Sequence, residues 1–112
     1  SVQELSYEIR PAGGALPGKD EVEELLRRET IPIERRGKEV DLKPLLANMV
    51  HDGTRIRLGI TWTDTGTARP DDVLAVLGCD ADTVSVVKTG IRFRSSLMEQ
   101  IEKTNVPKHP DQ

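Results

Sequence analysis

Residues 55–62 read RIRLGITW, and the alternation is unbroken. Ile56, Leu58, Ile60 and Trp62 share one side of an extended chain, while Arg55, Arg57, Gly59 and Thr61 take the other. Strand side chains alternate with a period of two, so this segment offers an apolar face to a core and a polar face to water. The rest of the chain must supply the layer that covers the apolar face. Two more segments match it. ELSYEIR (4–10) places Leu5, Tyr7 and Ile9 on one side, and TVSVVKTGIRF (83–93) reads as a last strand in which Gly90 marks a bulge or a close approach.

Turn residues divide the middle of the chain. In IPIERRGKEVDLKP (31–44), Ile31 and Ile33 share one face and Val40 and Leu42 another, and Gly37-Lys38 sits at the centre of an expected tight hairpin. A second hairpin is expected within 45–63 around Asp52-Gly53; alternatively, Pro44 opens a helical turn over 44–50.

Two segments have helical spacing. KDEVEELLRRE (19–29) follows a Pro/Gly-rich loop, has capping-box spacing at Asp20 and Glu23, and gathers Val22, Leu25 and Leu26 into a stripe. Its acidic residues lead and Arg27 and Arg28 trail, which suits the helix dipole. In TGTARPDDVLAVLG (65–78), Pro70 fits a first turn, Asp71 and Asp72 complement its positive end, and Gly78 fits just past its C-terminus. Beyond Arg94, SSLMEQIE has the pattern of a short helical turn and KTNVPKHPDQ that of a polar, disordered tail. The expectation is one α+β domain over residues 1–94, with 95–112 outside it. It is a two-layer sandwich, a mainly antiparallel sheet with two helices on one face, ferredoxin-like with an added hairpin. The chain opens on a strand-like run without an initiator Met and reads as a piece of a longer protein.

With one Trp, one Tyr and one Phe, the core must be built from Leu, Val and Ile. A formal charge of -3 argues against a free-standing, non-specific nucleic-acid binder while leaving room for a local basic patch. A single cysteine, Cys79, permits neither an internal disulfide nor a thiolate cluster. No signal peptide or long apolar run is present, so a soluble, cytoplasmic setting away from membranes is expected.

No catalytic constellation assembles from the sequence. His51 and His109 lie in an expected turn and in the tail, with nothing to orient them. Asp64, Asp71 and Asp72 read as loop and helix-start charges rather than metal ligands. Cys79 reads as an idle thiol, and GTARPDD lacks the glycine spacing of a phosphate loop. The sequence assigns no catalytic, cofactor or metal residue, and the expectation is a domain without catalysis of its own. The basic residues are the candidates for binding a partner or RNA: Arg35, Arg36 and Lys38 around the first hairpin, Arg55 and Arg57 on the alternating strand, Arg69 ahead of the second helix, and Lys88 on the last strand. The competing reading is that these charges solubilise an exposed sheet face and blunt its edges. The near absence of aromatics argues against a base-stacking sheet. Arg69 stands out, since a cation at the positive end of a helix needs either an acidic partner, Asp72 or Asp41, or an external ligand.

RRGKEVDLKPLL, then GTARPDDVLAVLG, then VVKTGIRF: in this order the motifs resemble the C-terminal half of the radical SAM-linked protein family, over about residues 5–93. Members of that family occur beside, or fused to, a cobalamin-binding radical SAM protein. The resemblance implies such a protein as partner and an accessory role, with an RNA-binding module as the alternative. It implies no catalytic residue. It draws attention to Gly37, Lys38, Asp41, Pro44, Arg69, Pro70, Lys88, Thr89 and Gly90; Lys88 stands where the family usually has arginine, which keeps the charge and loses the bidentate fork. The chain has no Cys-x3-Cys-x2-Cys run, so the cluster that cleaves S-adenosylmethionine is not held here.

Overall fold

A computed structural model describes residues 2–64 and 66–94. The elements run β1 (Val2–Pro11), α1 (Lys19–Arg27), β2 (Pro32–Arg35), β3 (Lys38–Asp41), a 3-10 turn (Lys43–Leu45), β4 (Leu46–His51), β5 (Ile56–Trp62), α2 (Pro70–Val76), a second 3-10 turn (Ala81–Thr83) and β6 (Val84–Arg94). Four strands form an antiparallel sheet in the order β4-β5-β1-β6, and β2 and β3 form a separate two-stranded sheet. With β2 and β3 set aside, the chain follows the βαββαβ path of ferredoxin-like folds. The protein is thus an α+β domain with an added hairpin, here called the arm.

The alternation in β5 decides which side of the sheet is covered. Ile56, Leu58 and Ile60 are fully buried, as are Ile9 of β1 and Met49 of β4 on the same face. Val22 and Leu25 of α1 and Val73 and Leu74 of α2 close over them in one core. Trp62 departs from the expected inward series: it is 45% exposed. It lies at the last position of β5, opposite Gln3 and two residues past the fully buried Ile60, where burial on this face falls off along the strand.

Several local expectations shift by a residue or two. Helix α1 starts at Lys19, as its spacing predicts, but the capping box sits at Gly18 and Glu21 rather than Asp20 and Glu23: Glu21 closes the first turn by accepting the Gly18 N–H at 2.6 Å. The arm turns on Arg36-Gly37 instead of Gly37-Lys38, with Arg35 opposite Lys38; φ is 54° and 77° at the two turn residues, both left-handed as a type I′ turn demands. Residues 43–45 take the helical turn behind Leu42, and the strand begins only at Leu46, so the two readings of this region each hold in part. The β6 bulge falls at Thr89, where the register against β1 slips between Ser6 and Tyr7, beside Gly90. The expected helical turn and tail, with His109, lie outside the described residues.

Candidate binding surface

The seven basic candidates fall into three places. Arg55 and Arg57 sit at the hairpin end of β5, near the uncovered face of the sheet, where carboxylates meet them. Asp52 begins the turn between β4 and β5 and accepts the backbone N–H groups of Thr54 and Arg55, both at 3.0 Å. Those bonds, with the neighbouring guanidinium, hold its carboxyl far below the usual aspartate range. The second Asp52 oxygen takes Arg55 at 3.2 Å and lies 3.8 Å from Arg57. Glu8, the strand neighbour of Arg57 on β1, takes Arg10 at 2.7 Å and Arg55 at 3.3 Å. Its pKa is lowered, first by the Arg10 hydrogen bond. Two carboxylates therefore serve three guanidinium groups, and this face carries a mixed mosaic. Beyond it, Gly59 is buried beneath Asn48 and Glu4, whose side chains bond to each other at 3.0 Å across the missing side chain.

The second place is the arm and the start of α2. Isolated two-stranded hairpins are marginal in water, so the arm needs anchors. At its root Ile31 and Leu42 are fully buried, and the Leu42 N–H bonds the Ile31 carbonyl at 2.7 Å. Asp41 accepts the N–H groups of Ile31 at 2.8 Å and Lys43 at 3.0 Å, which lowers its pKa. The Lys43 ammonium donates to the Leu26 carbonyl near the end of α1. The Asp-Leu-Lys stretch is therefore structural. Near the tip, Arg35 donates to the Thr67 carbonyl at 2.5 Å and lies 3.7 Å from Asp72. The same Asp72 oxygen accepts the Arg69 backbone N–H at 2.9 Å, closing the first turn of α2. Arg35 thereby ties the arm to the 67–72 segment, and Arg69 is brought beside it.

Arg36, Lys38 and Arg69 are exposed, and no ion pair to any of them occurs among the described residues. Neither Asp41 nor Asp72 pairs with the Arg69 side chain: the carboxylate of each accepts backbone N–H groups instead. The arm is charge-segregated along its strands. Arg35 faces Lys38 directly, and Glu34 faces Glu39 directly; consecutive pairs lie on opposite faces, so one face is cationic near its tip and the other acidic. Like charges in direct opposition cost stability rather than add it.

Lys88 occupies a third place, on the sheet-edge strand β6 opposite Tyr7. The structure thus gathers Arg35, Arg36, Lys38 and Arg69, and separates them from Arg55 and Arg57 and from Lys88. Sequence reasoning missed Thr67 as the contact of Arg35, because a backbone carbonyl distant in sequence leaves no signal. It also missed the neutralisation of Arg55, although Asp52 three residues earlier was a readable hint.

Among the described residues no three or more His, Cys, Asp or Glu side chains come together as a metal site. The His51 ring accepts the Gly53 N–H at 3.0 Å and serves the turn. Cys79 is half-buried beside the end of α2, its thiol directed to the Asp80 carbonyl. No helix among the described residues is long and apolar enough to cross a membrane. No family model, no curated protein and no solved structure matches the chain.

Proposed function

We propose that this domain is a non-catalytic accessory module of a radical SAM enzyme, holding that enzyme or its substrate through the tip of the arm. The observation that carries the reading is the contrast in charge pairing: Arg36, Lys38 and Arg69 stand exposed beside an arm anchored by Arg35, while Arg55 and Arg57 are met by carboxylates. An anchored backbone presents the three cations together to an anionic group, and each long side chain immobilised there costs about 0.5–1.5 kcal/mol, which the charge pairing must offset. The motif resemblance supplies the partner class, a cobalamin-binding radical SAM protein in the cytoplasm. A second reading, an RNA-binding module for RNA modification, draws on the same three cations.

The triple variant Arg36→Glu, Lys38→Glu, Arg69→Glu is titrated beside the parent against a cobalamin-binding radical SAM protein and against bulk RNA, each at low and high salt. Docking of these cations onto acidic groups of a protein loses only the screened part of its affinity at high salt. Phosphate binding falls steeply with salt as counterions return. Loss of protein binding in the triple variant supports the first reading, and loss of a salt-sensitive RNA affinity supports the second. Turnover of any small molecule by the purified domain would sink the non-catalytic assignment.

A further inference from the structure

Strand β6 is one edge of the sheet and, at 11 residues, its longest strand. Such an edge presents unpaired backbone donors and acceptors to any extended chain, and proteins usually blunt it with charge, a bulge or short length. Here the blunting is partial. A bulge at Thr89 and the cation Lys88 sit mid-strand, yet Val86, Val87 and Ile91 remain exposed by 37%, 44% and 51%. These apolar side chains lie on both faces, Val86 with Ile9 on the core side and Val87 with Glu8 on the open side. The charged residues of β6 are Lys88, Arg92 and Arg94, with no acidic residue among them.

That charge pattern chooses between occupants. A second copy offering its own β6 brings further cations and no acidic residue to meet Lys88 and Arg92, and in registers that oppose Lys88 to itself or to Arg92 like charges face directly, which is destabilising. The other edge, β4, has no acidic residue between Leu46 and His51 and is itself irregular near Ala47. We propose that β6 is a docking edge for an extended segment of a partner protein that is mostly apolar and carries acidic residues on both of its faces, because Lys88 lies with Tyr7 on the core side and Arg92 with Glu4 on the open side. The segment adds as a further strand beside β6: main-chain hydrogen bonds supply affinity, its acidic side chains meet Lys88 and Arg92, and its apolar ones cover Val86, Val87 and Ile91. This surface is separate from the arm and does not depend on the function proposed for it.

The test follows backbone amides by NMR in the whole chain as the short peptide Glu-Val-Thr-Glu-Val-Val is added, which antiparallel to residues 86–92 sets its glutamates against Arg92 and Lys88 and its valines against Ile91, Val87 and Val86. Shifts concentrated on residues 84–92 are expected. The valine-lysine counterpart should bind several-fold more weakly, and a central proline in the acidic peptide should abolish binding, because proline cannot complete the ladder. Lys88→Glu should weaken the acidic peptide several-fold, and the milder Lys88→Gln by less; both alter an exposed side chain and leave the melting temperature near the parent's. Arg36→Glu should leave the β6 shifts unchanged, which separates this test from that of the arm. Equal binding of the two peptides, absence of shifts on β6, or shifts on the arm alone overturns the proposal. Shifts at residues 84–92 that grow with protein concentration alone assign the edge to a second copy. Contacts from residues 95–112 to β6 assign it to the chain itself. Either result also overturns it.

Discussion

The arm and the sheet face are both rich in arginine, and they use it in opposite ways. On the sheet, the period of two and the antiparallel register bring Arg55 and Arg57 against Glu8 and Asp52, and the charges cancel locally. On the arm, register sets like against like, Arg35 opposite Lys38 and Glu34 opposite Glu39. Among the described residues, of the arm's cations at the tip only Arg35 is compensated, by reaching off the arm to Thr67 and Asp72. A count of arginines treats the two regions alike. Cross-strand register tells them apart, because it decides which charges are neighbours. Stability is therefore drawn from different sources: the sheet from its covered face, the arm from anchors at its root and the Arg35 tie near its tip.

The sharpest way to break this comparison is at the root. Leu42 is fully buried in the core, and Leu42→Ala should cost about 2–5 kcal/mol, the range for a buried leucine cavity. Chemical denaturation would measure it. If the arm were a loosely attached flap, the loss would be small and the sheet would melt as before. The intended result is that arm and sheet unfold in one transition at lower denaturant.

Two glycines sharpen the contrast at smaller cost. Gly37 has open space around it but φ of 77°, so Gly37→Ala forces a left-handed alanine at about 1–2 kcal/mol. Gly59 has ordinary backbone but a built Cβ would lie 2.6 Å from the Asn48 amide and 2.7 Å from the Glu4 carboxylate. Both are far ends of flexible side chains, which can swing away, so Gly59→Ala should cost less than about 1 kcal/mol. Thermal melts rank the pair. A larger loss at Gly59 would mean that the Asn48–Glu4 bond holds β4 to the sheet more firmly than its exposure implies.

Much of this architecture was legible in the sequence, and the reasons differ by region. The alternation at 56–60 and the apolar stripe of Val22 and Leu25 express burial, which local spacing reports well. Pro70 and Gly78 marked the ends of α2 because their backbone chemistry acts locally. The gathering of cations was harder. That Arg35 meets the 67–72 segment, whereas Arg55 meets β1, is settled by tertiary placement of the arm. Spacing along the chain carries no record of that. Trp62 was misread for a related reason: periodicity names the face of a strand and not how far the covering layer extends along it.

Acid separates the two regions by a different route. Glu8 and Asp52 on the sheet and Asp41 at the arm's root all have pKa values lowered by the fold. Each group binds its proton more readily in the unfolded chain, so its stabilisation is present above the unfolded pKa, near pH 4, and is lost as pH falls through the lower folded values. Stability should be flat from pH 7 to about 5 and decline below about 4. Asp41→Asn should remove part of that decline and expose the Ile31 amide to hydrogen exchange, while Asp52→Asn should leave the Ile31 amide protected. Identical exchange in both variants would mean that Asp41 does not secure the arm's root.

The smallest expected effect concerns Arg36, and it runs towards greater stability. Its φ of 54° is left-handed, a region in which asparagine and glycine are at ease and a long side chain is not. First position in a type I′ turn favours asparagine for that reason. Arg36→Asn should therefore raise stability by about 0.5–1 kcal/mol. On the sheet, where φ is extended and the arginines are paired, Arg57→Asn should give no such gain. The same Arg36→Asn change removes one of the three cations at the arm's tip that have no ion pair among the described residues, so binding to an anionic partner there should fall while the melting temperature rises. Arg69→Ala supplies the control: it should cost less than about 1 kcal/mol, as an exposed substitution does, because Asp72 and Pro70 hold the helix start through the backbone. It should share the binding loss. If Arg36→Asn stabilised the chain and left binding intact, the arginine would be an accident of the turn, and the arm's tip would no longer be the place to look for the partner.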